Sequence, residues 1–123
     1  MSTGFPDSLP DAQTTIEISP RAVAQWHGLP KDQRPMLIDC READELTICR
    51  IEGYDWVPLR EFPQRVEAIR AESQRGVVVY CHHGMRSRHA AEFLRSHGIE
   101  HSFSMSGGID MWSDIIDGSV PTY

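Results

Sequence analysis

The stretch Gly76-Val77-Val78-Val79-Tyr80 constrains this chain more than any other part of it. It is continuous and β-branched, with no polar alternation, and such a run is stable only when both faces of the strand are covered, as in the centre of a parallel sheet. Cys81 follows at once. A cysteine there stands at the carboxyl end of a central strand, the edge at which open α/β sheets hold their ligands.

The flanking pattern supplies the rest of such a sheet. Thr15 to Ile18 reads as a short strand, and Ser19-Pro20 as an N-cap with proline at the first helical position, opening a helix that carries Val23 and Trp26 and is closed by Gly28 and Pro30. Met36-Leu37-Ile38-Asp39 is a compact apolar strand delivering Asp39 and Cys40 at its carboxyl end, and Arg41 to Leu46 reads as one short helical turn. Trp56 to Leu59 reads as a brief extended piece ahead of a helix whose inward positions are Phe62, Val66 and Ile69, with Pro63 in its first turn. Ser87 to His97 is predicted to be helical, with Ala90, Ala91, Phe93 and Leu94 inward and Gly98 as its stop. His101 to Met105 forms a further strand, Gly107-Gly108 a turn, and Ile109 to Trp112 a last short helix. Alternating strands and helices predict an α/β fold with a mainly parallel central sheet and helices on both faces.

Residues 1–14 mix Gly, Pro, Ser and Asp without apolar periodicity and are expected to be a flexible tail, leaving one domain over residues 15–123. The formal net charge of −6 argues against nucleic-acid and anionic-membrane partners. With no long apolar run and no basic-apolar leader, the expected location is cytoplasmic. The three cysteines, Cys40, Cys49 and Cys81, are an odd number without paired metal-type spacing, which disfavours a disulfide framework and a structural zinc site. Against the acidic background, His82, His83, Arg86, Arg88 and His89 follow Cys81 without an acid among them, an island expected to draw a small anionic substrate.

Gly84 can take the backbone angles of a tight cradle, so loop amides and the positive end of the following helix are expected to converge on the Cys81 sulfur. A free thiol of pKa about 8.5 is mostly protonated at neutrality, whereas helix ends and cationic neighbours bring it into a range of roughly 3.5 to 7.5. The thiolate is then a nucleophile able to take sulfur from a donor and hold it as a persulfide.

The loop Tyr80-Cys81-His82-His83-Gly84-Met85-Arg86-Ser87 resembles the active-site loop of the rhodanese family, which also starts at a cysteine and closes on an arginine. Leu37-Ile38-Asp39-Cys40-Arg41-Glu42 resembles that family's Asp-x-Arg element, and Ser106-Gly107-Gly108-Ile109 with Trp112 its late glycine turn. The likeness runs from about Thr15 to the end. It implies a three-layer rhodanese-like fold in which Cys81 carries the persulfide, His82, His83, Gly84 and Met85 contribute cradle amides, and Arg86 closes the loop and helps hold an anionic donor. Asp39, Arg41 and Ser87 would be supports. Cys49-Arg50-Ile51-Glu52-Gly53 departs from the family's usual Gly-His-Ile-Pro-Gly run, a change confined to a loop that bears on docking rather than chemistry.

The implied activity is sulfur transfer from thiosulfate or a protein persulfide to cyanide, a thiol or a sulfur-carrier protein, by a two-stage scheme without a cofactor. A persulfide-carrying or signalling module acting on a partner protein is the alternative. Related cysteine phosphatases have one more residue between cysteine and arginine than the four here, making a ring wide enough for a phosphoryl group, so phosphatase chemistry is disfavoured. Adjacent histidines after a cysteine do not have zinc-ligand spacing, and no metal is expected. Cys40 reads as a small buried hydrophobe; the alternative is that Cys40 or Cys49 resolves the persulfide as a disulfide, although nothing in the sequence brings either to Cys81. Trp26, Trp56 and Trp112 read as core or pocket-wall aromatics.

Overall fold

A computed structural model describes residues 11–123. Five parallel strands form one sheet in the order β1-β5-β4-β2-β3, with β1 at Glu17–Ile18, β2 at Met36–Asp39, β3 at Asp55–Trp56, β4 at Val77–Tyr80 and β5 at Ser102–Met105. Helices α1 (Pro20–Ala24), α2 (Ala43–Ile48), α3 (Phe62–Glu72), α4 (Met85–Ser96) and α5 (Gly108–Ile115) separate or follow the strands. The α/β fold with a parallel sheet, expected from the apolar run at Val77 to Tyr80, is the fold observed.

Strand periodicity divides the core between the two faces. Val78 and Tyr80 point to one side and pack with Val23 of α1, with Trp26, which lies in the turn after α1 ends at Ala24 rather than in the helix expected to carry it, and with Ile109 and Trp112 of α5. Val77, Val79 and Cys81 point to the other, where Phe62, Val66 and Ile69 of α3 and Ala90 and Leu94 of α4 cover them. The β4 residues are all 0% exposed, which is why the run carries no polar position. After β2 the chain moves outward to β3, and after β4 it moves the opposite way to β5. The connections therefore diverge beyond the carboxyl ends of β2 and β4, leaving the crevice in which such sheets bind ligands.

Several boundaries differ from the sequence expectation for local reasons. Helix α2 starts at Ala43 rather than Arg41, because Asp39 Oδ1 takes the Arg41 amide at 3.0 Å and Glu42 and Glu45 close a capping box. Helix α4 starts at Met85 rather than Ser87, since Gly84 caps it at φ +111°. Helix α5 runs three residues past Trp112, to Ile115. The brief extended piece is Asp55–Trp56, and residues 59–61 form a 3-10 turn leading into α3, with Pro63 in its first turn as expected. Phe93 is half-buried and stacks on His97. Trp56 is 40% exposed, in contrast to Trp26 and Trp112 in the core.

The tail expected at residues 1–14 lies outside the described residues up to position 10. Residues 11–14 form a turn, held by Thr14 N to Asp11 O at 3.0 Å and by Arg95, which donates to Ala12 O at 2.8 Å and Thr15 O at 2.9 Å. Among the described residues no helix is long and apolar enough to cross a membrane.

Candidate active site

Cys81 leaves β4 as the chain turns into α4, and its sulfur accepts two backbone hydrogen bonds, from Gly84 N at 3.1 Å and Ser87 N at 3.4 Å. Ser87 Oγ lies 3.5 Å from the same sulfur, a pair in which the hydroxyl donates once the thiol has ionised. That hydroxyl is held in place by Gly84 O at 3.2 Å and Ser104 Oγ at 2.7 Å. The cradle is thus narrower than the sequence suggested. Gly84 supplies an amide as expected, Ser87 supplies the second, and the amides of His82, His83 and Met85 do not reach the sulfur.

The loop is clamped from behind by α5. Ile109 N donates to Cys81 O at 2.9 Å and Asp110 N to His82 O at 3.1 Å, so the carbonyls are drawn to one side of the loop. Gly108 makes this approach possible: a Cβ there would lie 2.4 Å from both Cys81 O and His82 O. The glycine turn read from the sequence is the element against which the cysteine loop is shaped.

Cys81 is 1% exposed, and burial alone would hold its thiol protonated. The polar contacts outweigh burial: a hydrogen bond from the Cys40 thiol, followed by the Ser87 hydroxyl and the Ser87 and Gly84 amides, lowers its pKa to about 4. Cys40 moves the other way, its thiol pushed far up by the same hydrogen bond and by burial. Of the two thiols, Cys81 is therefore the more acidic. Cys81 is buried, but it is buried among donors.

Asp39 and Arg41 come together beneath the loop. Arg41, 0% exposed, donates Nε to Asp39 Oδ1 at 3.0 Å and Nη2 to Asp39 Oδ2 at 2.8 Å, and reaches Cys49 O at 2.8 Å. Tyr80 Oη donates to Asp39 Oδ2 at 2.6 Å and accepts from Ile51 N at 3.1 Å. Trp56 Nε1 donates to Arg41 O at 2.8 Å. The network fixes the end of β2, the end of β4 and the loop after α2 relative to one another.

Glu45 was not singled out by sequence reasoning, although its capping-box spacing after Glu42 was a signal. It receives Arg86 through Nη1 at 2.7 Å and Nη2 at 2.9 Å, and Tyr123 Oη at 2.7 Å. The Arg86 guanidinium holds the Glu45 carboxyl down at about 2. The cationic island is therefore matched by acids, most of them from distant parts of the chain: Arg86 by Glu45, Arg88 by Glu17 and by Glu92 one turn on in α4, and His83 by Asp110 at 3.8 Å. Arg86 closes the loop, but its fork is turned to Glu45.

The His82 ring stacks between Tyr123, at 3.7 Å and 6°, and His83, at 3.8 Å and 27°. His82 Nε2 is buried with no hydrogen-bond partner. Ligand atoms of His82, His83 and Asp110 lie within 4.8 Å of one another, a grouping that the spacing argument against a metal did not anticipate because Asp110 arrives from α5. Met85 turns its side chain to solvent, 73% exposed, at the lip of the loop.

Comparison with known proteins agrees with this architecture. Residues 22–115 match the family model of the rhodanese-like domain. The chain is 35% identical over 89 residues to the chloroplastic rhodanese-like/PpiC domain-containing protein 12 of Arabidopsis thaliana, covering 71% of this chain and 30% of that one. It is also 35% identical over 108 residues to a tRNA uridine(34) hydroxylase of Bordetella petrii, covering 81% of this chain and 42% of that one. The chain thus spans less than half the length of these curated relatives. A human single-domain sulfurtransferase superposes with a TM-score of 0.69 at 19% identity, covering 82% of this chain and 97% of that one. With its parallel sheet, its cysteine loop at the carboxyl edge and a family match across most of its length, the chain belongs to the rhodanese-like domain family.

Proposed function

We propose that this domain transfers sulfane sulfur through a persulfide on Cys81. The observation that carries the reading is the sulfur of Cys81 placed at 3.1 Å from Gly84 N and 3.4 Å from Ser87 N, donors that favour its thiolate. In the first stage the thiolate attacks the outer sulfur of a donor such as thiosulfate, and the S–S bond of the donor breaks to release sulfite. In the second, an acceptor nucleophile attacks the outer sulfur of the persulfide and Cys81 leaves as the thiolate again. The amides stabilise the leaving thiolate in that stage, so they act in both directions.

A second reading, a persulfide carrier served by a partner protein, is favoured by one observation. The bidentate pair of Arg86 with Glu45 leaves the cation that would attract thiosulfate already neutralised. The activity named for the Bordetella relative is a property of a longer protein, and the net charge of −6 here gives no electrostatic footprint for RNA.

The test is to incubate the protein with thiosulfate, record its intact mass, then add cyanide and assay thiocyanate, with Cys81→Ala as control. Gain of one sulfur followed by thiocyanate release is the expected result. Gain from a protein persulfide or polysulfide but not from thiosulfate identifies the carrier, and no gain from any donor overturns both readings.

A further inference from the structure

Cys40 was expected to be an inert core residue, and its position says otherwise. Strands β2 and β4 pair in parallel with Ile38 opposite Val79 and Asp39 opposite Tyr80. One step further along the same register sets Cys40 opposite Cys81, and Cys40 N donates to Tyr80 O at 3.0 Å to continue the ladder. Both side chains lie on the α3/α4 face, in one cluster with Ile38, Val77 and Val79. Adjacent strands run about 4.8 Å apart, inside the Cα separation of roughly 4.4–6.8 Å over which a disulfide closes. Cys49 belongs to the cluster on the opposite face of the sheet and cannot compete.

We propose that Cys40 is a resolving thiol, which attacks Cys81 Sγ in the persulfide state, expels the outer sulfur as hydrosulfide and leaves a Cys40–Cys81 disulfide. The inference rests on the persulfide reading above and adds a second fate to that intermediate. In the step, the Cys40–Cys81 S–S bond forms as the S–S bond of the persulfide anion breaks. The Cys40 proton passes to the departing sulfur, which leaves as HS⁻. The two cysteine sulfurs are oxidised to the disulfide and the outer sulfur is reduced to sulfide, so no external oxidant is needed. A dithiol reductant returns the pair to its starting state.

The surroundings favour this course. Cys40 flanks Cys81 on the neighbouring strand and the same sheet face, while the Gly84 and Ser87 amides reach the Cys81 sulfur from the loop. Persulfide formation moves the negative charge off Sγ, and Sγ becomes an electrophile beside a thiol on the adjacent strand. A persulfide on this domain therefore survives only when an acceptor arrives before Cys40 acts.

The experiment loads the full chain with an inorganic polysulfide under anaerobic conditions, removes excess donor, and follows free sulfide together with the intact mass and a peptide map. The expected result is one sulfide released per loaded protein as the Cys40–Cys81 disulfide accumulates, with release lost and the extra sulfur retained in Cys40→Ser and in Cys40→Ala. Loaded wild-type protein that keeps its sulfur, with no disulfide, overturns the role of Cys40 while leaving the persulfide reading intact. Failure of Cys40→Ser to gain sulfur, together with no sulfide release and no disulfide in wild-type protein, overturns both. The pair is also tested without any sulfur donor, by treatment with dilute hydrogen peroxide: Cys81 sulfenate and the Cys40 thiol should condense to the same disulfide with loss of water. Oxidation that stops at Cys81 alone counts against the geometry.

Discussion

Arg86 and Glu45, from opposite ends of the sequence of the site, form a two-point ion pair with contacts of 2.7 and 2.9 Å. Arg86 lies in the first turn of α4, where a cation is opposed by the helix dipole, and the Glu45 carboxylate offsets that cost. Glu45 is itself fixed by its capping bond to Glu42 N at 3.0 Å. The pair therefore locks the start of α2 to the start of α4, across the mouth of the cysteine loop.

Replacing Glu45 by Gln removes the ion pair and weakens the cap, at an expected cost of about 1–2 kcal/mol in unfolding free energy. The folded carboxyl titrates near 2 against an ordinary value of 4.5. A depressed carboxyl contributes stability that is fully present above the unfolded value and lost as pH falls through the folded one. The difference between wild type and Glu45→Gln in denaturant unfolding should be constant above about pH 5 and shrink toward pH 2. A pH-independent difference would show that Glu45 acts without its charge.

The thiolate of Cys81 should be visible well below neutrality. Its ultraviolet absorbance, taken as the difference from Cys81→Ala, is expected to titrate near pH 4. Cys40→Ala and Ser87→Ala should each shift that midpoint upward, because each removes a neighbour that favours the charged sulfur. A wild-type midpoint in the ordinary thiol range would refute this account of the cradle.

Gly108→Ala should damage the site from behind. Its Cβ would meet two backbone carbonyl oxygens at 2.4 Å, and neither can move without moving the cysteine loop. The residue also sits at φ +61°, a further strain for a side chain of about 1 kcal/mol or more. Persulfide loading should fall together with the melting temperature, whereas Gly28→Ala, with open space around its Cβ position, should lower stability and leave loading intact.

Asp39→Ala leaves Arg41 charged, fully buried and without its carboxylate. Breaking a buried pair in this way costs about 3–5 kcal/mol, a large part of the stability of a domain this size. Chemical denaturation should register that loss, and Arg41→Lys with Asp39 intact should also destabilise, because an ammonium cannot reproduce the fork to Asp39 and Cys49 O.

What the sequence determined by itself was whatever depends on neighbours along the chain. The run from Val77 to Tyr80 specified a covered central strand. Ser19 and Pro20 specified the start of α1, where the Ser19 hydroxyl indeed accepts from Ala22 N at 3.2 Å. Cys81 after a strand and Gly84 before a helix specified a cradle at the sheet edge. Each of these is a short-range matter of side-chain period, capping and allowed backbone angles.

Only the tertiary structure decided the relations between separate segments. Strand register sets Cys40 beside Cys81, and packing places Cys49 in the cluster on the opposite face, although nothing in the sequence related the three cysteines to one another. Glu45 and Arg86 stand 41 residues apart in the chain and become one ion pair, so the cationic character of the loop could not be judged locally. Asp110 joins His82 and His83 only because α5 folds back onto the loop. The physical reason is common to these cases: a charge or a thiol is defined by what surrounds it, and packing assembles those surroundings from segments that carry no mutual signal along the chain.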